Sequence, residues 1–187
     1  MEKITSKILL KALRNKYPNA AVLSEVTMED EEELAKVATA EVILRPQLRK
    51  YYESKGINCD VELPEDFMLN KSVYNRRIDA LIFEWKQRTA VEIKISRSDF
   101  FRDTAEKRAP WQKHTHRFVY LVPKGLVKPE EVPQGCGLWE YENGYIKIVK
   151  KAVSNKQVTD FPMSMTKYFA WRAFAAENKL AKLTEKK

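Results

Sequence analysis

The sequence predicts one α/β or α+β domain, and three observations predict it. Segments with apolar residues at helical spacing alternate along the chain with short β-branched and aromatic runs. An Asn143-Gly144 pair between two such runs marks a hairpin with a primed turn. The 187 residues, 44% of them hydrophobic, suffice for one sizeable core and are short for two.

The elements follow in order. Ile4, Ile8, Leu9, Ala12 and Leu13 fall on one helical face, so 4–17 reads as a helix ended by Pro18-Asn19. Residues 20–27 read as a strand. A helix over 31–44 and a second piece from Pro46 to Ser54 follow, with Lys55-Gly56 as a stop and a strand over 57–63. Residues 64–74 read as a loop. Strands over 77–85 and 89–95 are joined by a polar turn at Lys86-Gln87. One helix spans 98–108, with Ser96 or Ser98 as its cap. A strand over 117–122 is closed by Pro123-Lys124-Gly125, the Asn143-Gly144 hairpin follows, and a helix over 163–183 ends the pattern. On that helix Trp171, Phe174 and Leu180 read as a packing stripe.

Composition excludes several classes. Five glycines and eight prolines argue against collagen-like or low-complexity chains. No apolar run reaches the roughly 18–20 residues of a membrane span, and the first residues lack the apolar core of a signal peptide. Two cysteines, Cys59 and Cys136, make no disulfide scaffold, which points to a reducing cytoplasm. The net charge of +8 suits a polyanion and is unevenly placed. Residues 24–41 hold seven acids and one base, 86–128 hold eleven bases and four acids, and 143–187 hold ten bases and three acids.

Chemistry concentrates in the paired strands. Ile78, Ala80 and Ile82 share one face of the first, and Val91, Ile93 and Ile95 one face of the second. These six apolar residues predict the core side. The opposite side carries Asp79, Leu81 and Phe83 with Ala90, Glu92 and Lys94. A turn at Lys86-Gln87 pairs Trp85 with Arg88 and sets Asp79 across from Lys94, with Glu92 one diagonal step away. Any hairpin loop of even length keeps the three polar groups together. Two carboxylates and an ammonium in apolar strands are costly unless mutually paired or bound to something. One reading is a buried ion-pair network. The other is a site for a hard divalent cation, Mg²⁺ or Mn²⁺, which polarises a phosphate and acidifies water while the lysine orients that water.

Asp79, twelve intervening residues, then Glu92-Ile93-Lys94 resembles the PD-(D/E)xK nuclease superfamily. The stretches VEIKISRSDF (Val91–Phe100), HRFVYLVP (His116–Pro123), GLVKPEEVP (Gly125–Pro133) and GLWE (Gly137–Glu140) are similar to MmcB-like, phage- and bacteria-encoded DNA-repair nucleases of that superfamily. KILLKALRNKYP (Lys7–Pro18) and AVLSEV (Ala21–Val26) extend the likeness. The resemblance implies a restriction-endonuclease-like α/β core, a mixed sheet flanked by helices, with an acidic helical insertion at about 29–75. It implies a cytoplasmic Mg²⁺- or Mn²⁺-dependent deoxyribonuclease acting on DNA in repair, recombination or phage DNA metabolism. Asp79 and Glu92 are then metal ligands with the Ile93 carbonyl, and Lys94 is the catalytic lysine. Glu25 or Glu41 is a fourth acid, Glu25 slightly favoured. Ile78 stands where the superfamily's name has proline. The alternative function is a non-catalytic nucleic-acid-binding or assembly module keeping the fold, and a homodimer is compatible with either.

Further residues suit phosphate. Arg76 and Arg77 precede Asp79. Ser96, Arg97 and Ser98 follow the catalytic strand, where hydroxyls and a guanidinium suit a backbone phosphate as well as they suit simple capping. Lys113, His114 and Arg117 come from the next turn. His114 and His116 form an HxH, a poor zinc pattern without cysteine or HExxH. Trp111 and Trp139 read as core residues more readily than as platforms for unpaired bases.

Overall fold

The computed structural model describes residues 4–30, 34–35, 50, 53–56 and 75–184. The chain divides into two compact units, Met1–Thr27 with Arg77–Lys187, and Met28–Arg76. The second unit's bounds adjoin those read for the insertion. Within it Arg76 Nε pairs with Asp30 Oδ2 at 3.0 Å. Residues 53–54 are helical and end at Gly56, whose φ of +67° is the left-handed stop that Lys55-Gly56 predicts. The strand read over 57–63, the loop over 64–74, Glu41 and Cys59 lie outside the described residues.

The architecture is α/β. Six strands in the order β1-β2-β3-β4-β5-β6 form one mixed sheet. They are β1 (Ala21–Glu29), β2 (Asn75–Glu84), β3 (Gln87–Ile93), β4 (Arg117–Pro123), β5 (Gly137–Glu142) and β6 (Tyr145–Lys150). Helices α1 (Ser6–Lys16), α2 (Arg97–Phe101), α3 (Ala105–His114) and α4 (Met163–Thr184) accompany them. The β2–β3 and β5–β6 pairs are antiparallel, whereas β3–β4 and β4–β5 are parallel. Parallel strands need a crossover, and α2–α3 provide the one between β3 and β4.

Each element has a local cause. Thr5 caps α1 by accepting from the Ile8 N–H, and Leu9, Ala12 and Leu13 form its buried stripe. That stripe packs on Ala80, Ile82, Val91, Ile93, Val119, Leu121, Trp139 and Ile146. Central β4 reads RFVYLVP and is buried on both faces, as a parallel strand between neighbours should be. On the sheet's other face Phe100 and Phe118 pack edge-on against Tyr120. Trp111 and Trp139 are both buried, as the core reading expects. At the second hairpin Asn143 and Gly144 have φ of 48° and 89°, the two left-handed residues a primed turn requires.

The structure corrects several expectations. The helix read over 98–108 is two helices. Ser96 caps α2 through the Asp99 N–H, then Thr104 caps α3 through the Lys107 N–H. Ile95 lies beyond the end of β3 and is exposed, so it is not a core residue. Trp171, Phe174 and Leu180 are all exposed, and Trp171 and Phe174 meet edge-on at the helix surface without entering the core. The packed part of α4 is its start, where Met165 is buried and Phe169 meets Phe83 and Phe161 edge-on. Among the described residues no helix is long and apolar enough to cross a membrane.

Candidate active site

The hairpin turns at Trp85-Lys86, with Glu84 opposite Gln87, one residue earlier than the sequence suggests. Trp85 is 96% exposed, so its bulk lies at the tip and not in the ladder. The shift moves the register by two and preserves every face. The recorded ladder ends at Ala80 opposite Val91, and the next pair in that register is Asp79 with Glu92. Continued one step, that register would set Asp79 beside Glu92 and not beside Lys94, and the Asp79 charge is felt by Glu92. In the same register the next closely bonded pair would be Ile78 with Ile93. At that point the Ile93 N–H donates to Asp79 Oδ2 at 2.8 Å. The residue between Glu92 and Lys94 thus anchors the first carboxylate through its backbone.

Lys94 follows β3 and is held by its own N–H, which donates to the Leu121 carbonyl at 3.1 Å. Its ammonium lies 2.9 Å from Glu92 Oε1 and 3.7 Å from Asp99 Oδ1. The side chains of Lys94 and Glu92 are only 10% and 16% exposed. Burial raises Asp79 above its usual range, and the Ile93 N–H and the Lys94 charge only partly offset this. Burial and then the Asp79 charge push Glu92 from 4.5 up to about 7, against the pull of Lys94. Burial works against the Lys94 ammonium, but the Glu92 carboxylate outweighs it and the lysine is raised. Two half-buried carboxylates near one ammonium leave a deficit of positive charge, which a hard divalent cation would fill. Asp79 and Glu92 are the side chains that would hold it, with backbone and water as further ligands. Among the described residues there is no group of three or more His, Cys, Asp or Glu side chains arranged to hold a metal.

Sequence reasoning misses the acids that surround this pair. Asp99, in the first turn of α2, and Asp103, before α3, are the acids whose charge raises Asp79 and Glu92 respectively. Asp103 accepts from Arg108 Nη1 at 2.9 Å and from the Tyr120 hydroxyl, and its side chain is 6% exposed. Tyr120 is the β4 register partner of Glu92, so this cluster backs the site. The Ser-x-x-Asp spacing from Ser96 to Asp99 is the one local signal that flags any of them. Asp103→Ala strands the Arg108 guanidinium in the core. It should cost about 3 kcal/mol or more in chemical denaturation, with Asp103→Asn costing less.

The remaining predicted residues are placed as follows. Arg77 is exposed, alternates onto the Asp79 side of β2, and its charge acts on that carboxylate. Arg76 points to the other side and is paired with Asp30. Arg97 is bound bidentately by Glu131, donates to the Leu126 carbonyl at 2.9 Å and lies over Phe101, so it is engaged within the protein. Ser96 serves as a cap, and its hydroxyl is 3.2 Å from that of Ser98. Lys113 is exposed on the last turn of α3, and its carbonyl accepts from the Thr159 N–H. Thr89 pairs with Arg117 and Glu92 with Tyr120, so Arg117 sits roughly 10 Å along the sheet from the Glu92 position. Lys113, His114 and His116 precede it at that same far end. His114 stacks on Phe161, while His116 Nδ1 accepts from the Arg88 N–H.

Glu25 is exposed with a φ of +50°, a left-handed residue within β1. Such a backbone in a strand marks a bulge. The carbonyls there face α4: Ser24 accepts from Arg172 at 2.7 Å and Glu25 from the Tyr168 hydroxyl at 3.2 Å. The acids whose charge reaches Asp79 and Glu92 include Asp99 and Asp103.

No family model and no curated protein matches the chain. Among solved structures the chain is similar to a protein of unknown function from Silicibacter pomeroyi. The two share 23% identity and a TM-score of 0.40, over 57% of this chain and 70% of the other.

Proposed function

We propose that the chain is a metal-dependent nuclease that hydrolyses DNA phosphodiester bonds. One observation carries this reading: Asp79 and Glu92 stand half-buried on neighbouring strands, close enough for the Asp79 charge to raise Glu92, with the Lys94 ammonium 2.9 Å from Glu92. The order Asp, hairpin, Glu-x-Lys and its likeness to PD-(D/E)xK nucleases support it.

A bound Mg²⁺ or Mn²⁺ supplies positive charge to a phosphate and makes water a better nucleophile. The protein's part is positional. Asp79, fixed by the Ile93 N–H, and Glu92, fixed by its place in β3, present carboxylate oxygens from two strands. Lys94 carries an ammonium on the same face, suited to orienting the attacking water and to charge developing on the phosphate. Burial keeps competing water low and strengthens each of these interactions. Arg77 is the exposed base on this side of β2 that suits the DNA backbone. A role in repair, recombination or phage DNA metabolism inside the cytoplasm fits the same reading, as does a homodimer.

The test is to offer supercoiled plasmid, single strands, flaps, junctions and RNA with Mg²⁺ or Mn²⁺. Cleavage of DNA that a chelator abolishes is expected. Salt-sensitive binding with no cleavage of any substrate would instead support a nucleic-acid-binding module that keeps the fold.

A further inference from the structure

We propose that Asp99 is the positioning residue for Lys94, giving its ammonium a second seat when a divalent cation takes Glu92. This inference rests on the metal-dependent reading above and adds to it a residue that reading does not use.

Lys94 stands between carboxylates from two different elements. Glu92 comes from the same strand two residues earlier, and its Oε1 is 2.9 Å from Nζ. Asp99 comes from the first turn of α2, and its Oδ1 is 3.7 Å from Nζ. The nearer contact uses an oxygen that a cation at the site would need. An ammonium and a divalent cation on one carboxylate repel each other, so binding must displace Nζ or be weakened by it. Asp99 Oδ1 is already within 4 Å of Nζ. Exchanging the two distances takes a shift of roughly 1 Å, within reach of a terminal side-chain torsion.

Asp99 is built to stay in place while Lys94 moves. Its N–H is tied to the Ser96 hydroxyl at 3.2 Å, which fixes the first turn of α2. Its other cationic partner, Arg102, is 3.5 Å away with a side chain 76% exposed. A solvated pair at three-residue helical spacing holds little energy. Asp99 can therefore accept the Lys94 ammonium without giving up a strong bond. The α2 turn in this way couples the seat of the lysine to cation occupancy of Glu92.

The test is a double-mutant cycle read by calorimetric Mn²⁺ binding, without turnover. In the otherwise native protein Asp99→Asn should weaken Mn²⁺ binding roughly tenfold, the order expected for one lost charge-assisted contact. In a Lys94→Met background the same substitution should change it by less than about twofold, because there is no ammonium left to reseat. As a second measurement, the Lys94 ammonium resonance should shift on Mg²⁺ addition in the native protein and not in Asp99→Asn. Equal weakening in both backgrounds would make Asp99 a direct contributor to cation binding and overturn the proposal. So would Asp99→Asn binding Mn²⁺ as tightly as the native chain. Both results leave the metal site itself intact. Failure of the native chain to bind Mn²⁺ at all would instead remove the metal-dependent reading, and this inference with it.

Discussion

Asp79→Asn and Glu92→Gln should each lower Mg²⁺-dependent DNA cleavage by at least about 10³-fold. Both replacements keep the size of the side chain, so the loss would report charge and not packing. The two carboxylates stand on neighbouring strands and would act on one cation. Groups that act as a unit lose their effect together, so the double variant should be scarcely worse than either single one. Additive losses would mean that the two acids serve separate functions. Lys94→Met should also impair cleavage strongly, yet leave cation binding intact or improved, because it removes the ammonium now seated on Glu92.

The second large effect is a linkage of stability, pH and cation. Glu92 is pushed from 4.5 up to about 7, chiefly by burial and then by the Asp79 charge. The folded protein therefore holds this proton where the unfolded chain has released it. Below pH 4.5 both states are protonated and the group has no effect. Between pH 4.5 and 7 folding binds more protons than the unfolded state does, so stability falls as pH rises. Above pH 7 the deprotonated carboxylate costs the fold about 3 kcal/mol, as an order of magnitude. Lys94, raised from 10.5, stays charged throughout this window. A cation binds the deprotonated form and should reverse the loss. At a concentration a hundredfold over its dissociation constant it adds about 2.7 kcal/mol. Denaturant melts at pH 5 and pH 8, with and without Mg²⁺, should show protection at pH 8 and little at pH 5. Glu92→Gln should be more stable than the native chain at pH 8 and indifferent to Mg²⁺. Equal protection at both pH values would contradict the assignment of Glu92 as a ligand.

What the sequence shows of this site, and what it hides, follows from how strands carry information. Period-two alternation places Asp79, Glu92 and Lys94 on one side, and that assignment survives a wrong turn position because both candidate turns hold two residues. Register depends on the turn alone. Trp85 reads as a strand residue by its bulk, yet it is the tip of the hairpin. The stop at Ile93 is equally hidden, since Ile95 continues the apolar alternation after the strand has ended. Asp103 is one of four acids in a segment with eleven bases, and nothing in its spacing sets it apart. Its role comes from Tyr120, brought beside it by the crossover to β4, and from Arg108 one helical turn on. Arg76 and Arg97 suit phosphate by their spacing, and both are held by acids, Asp30 and Glu131, far from them in sequence. At α4 the apolar spacing of Trp171, Phe174 and Leu180 suggests packing that the fold does not supply.

The proposed nuclease requires that Asp79 and Glu92 hold one divalent cation. Crystals soaked in Mn²⁺ at pH 8 and measured at an anomalous wavelength test it most directly. One anomalous peak is expected between the two carboxylates, absent from Glu92→Gln crystals treated identically, with the Lys94 ammonium moved from Glu92 toward Asp99. Saturating Mn²⁺ with no peak at that position, or a peak that persists unchanged in Glu92→Gln, would contradict it.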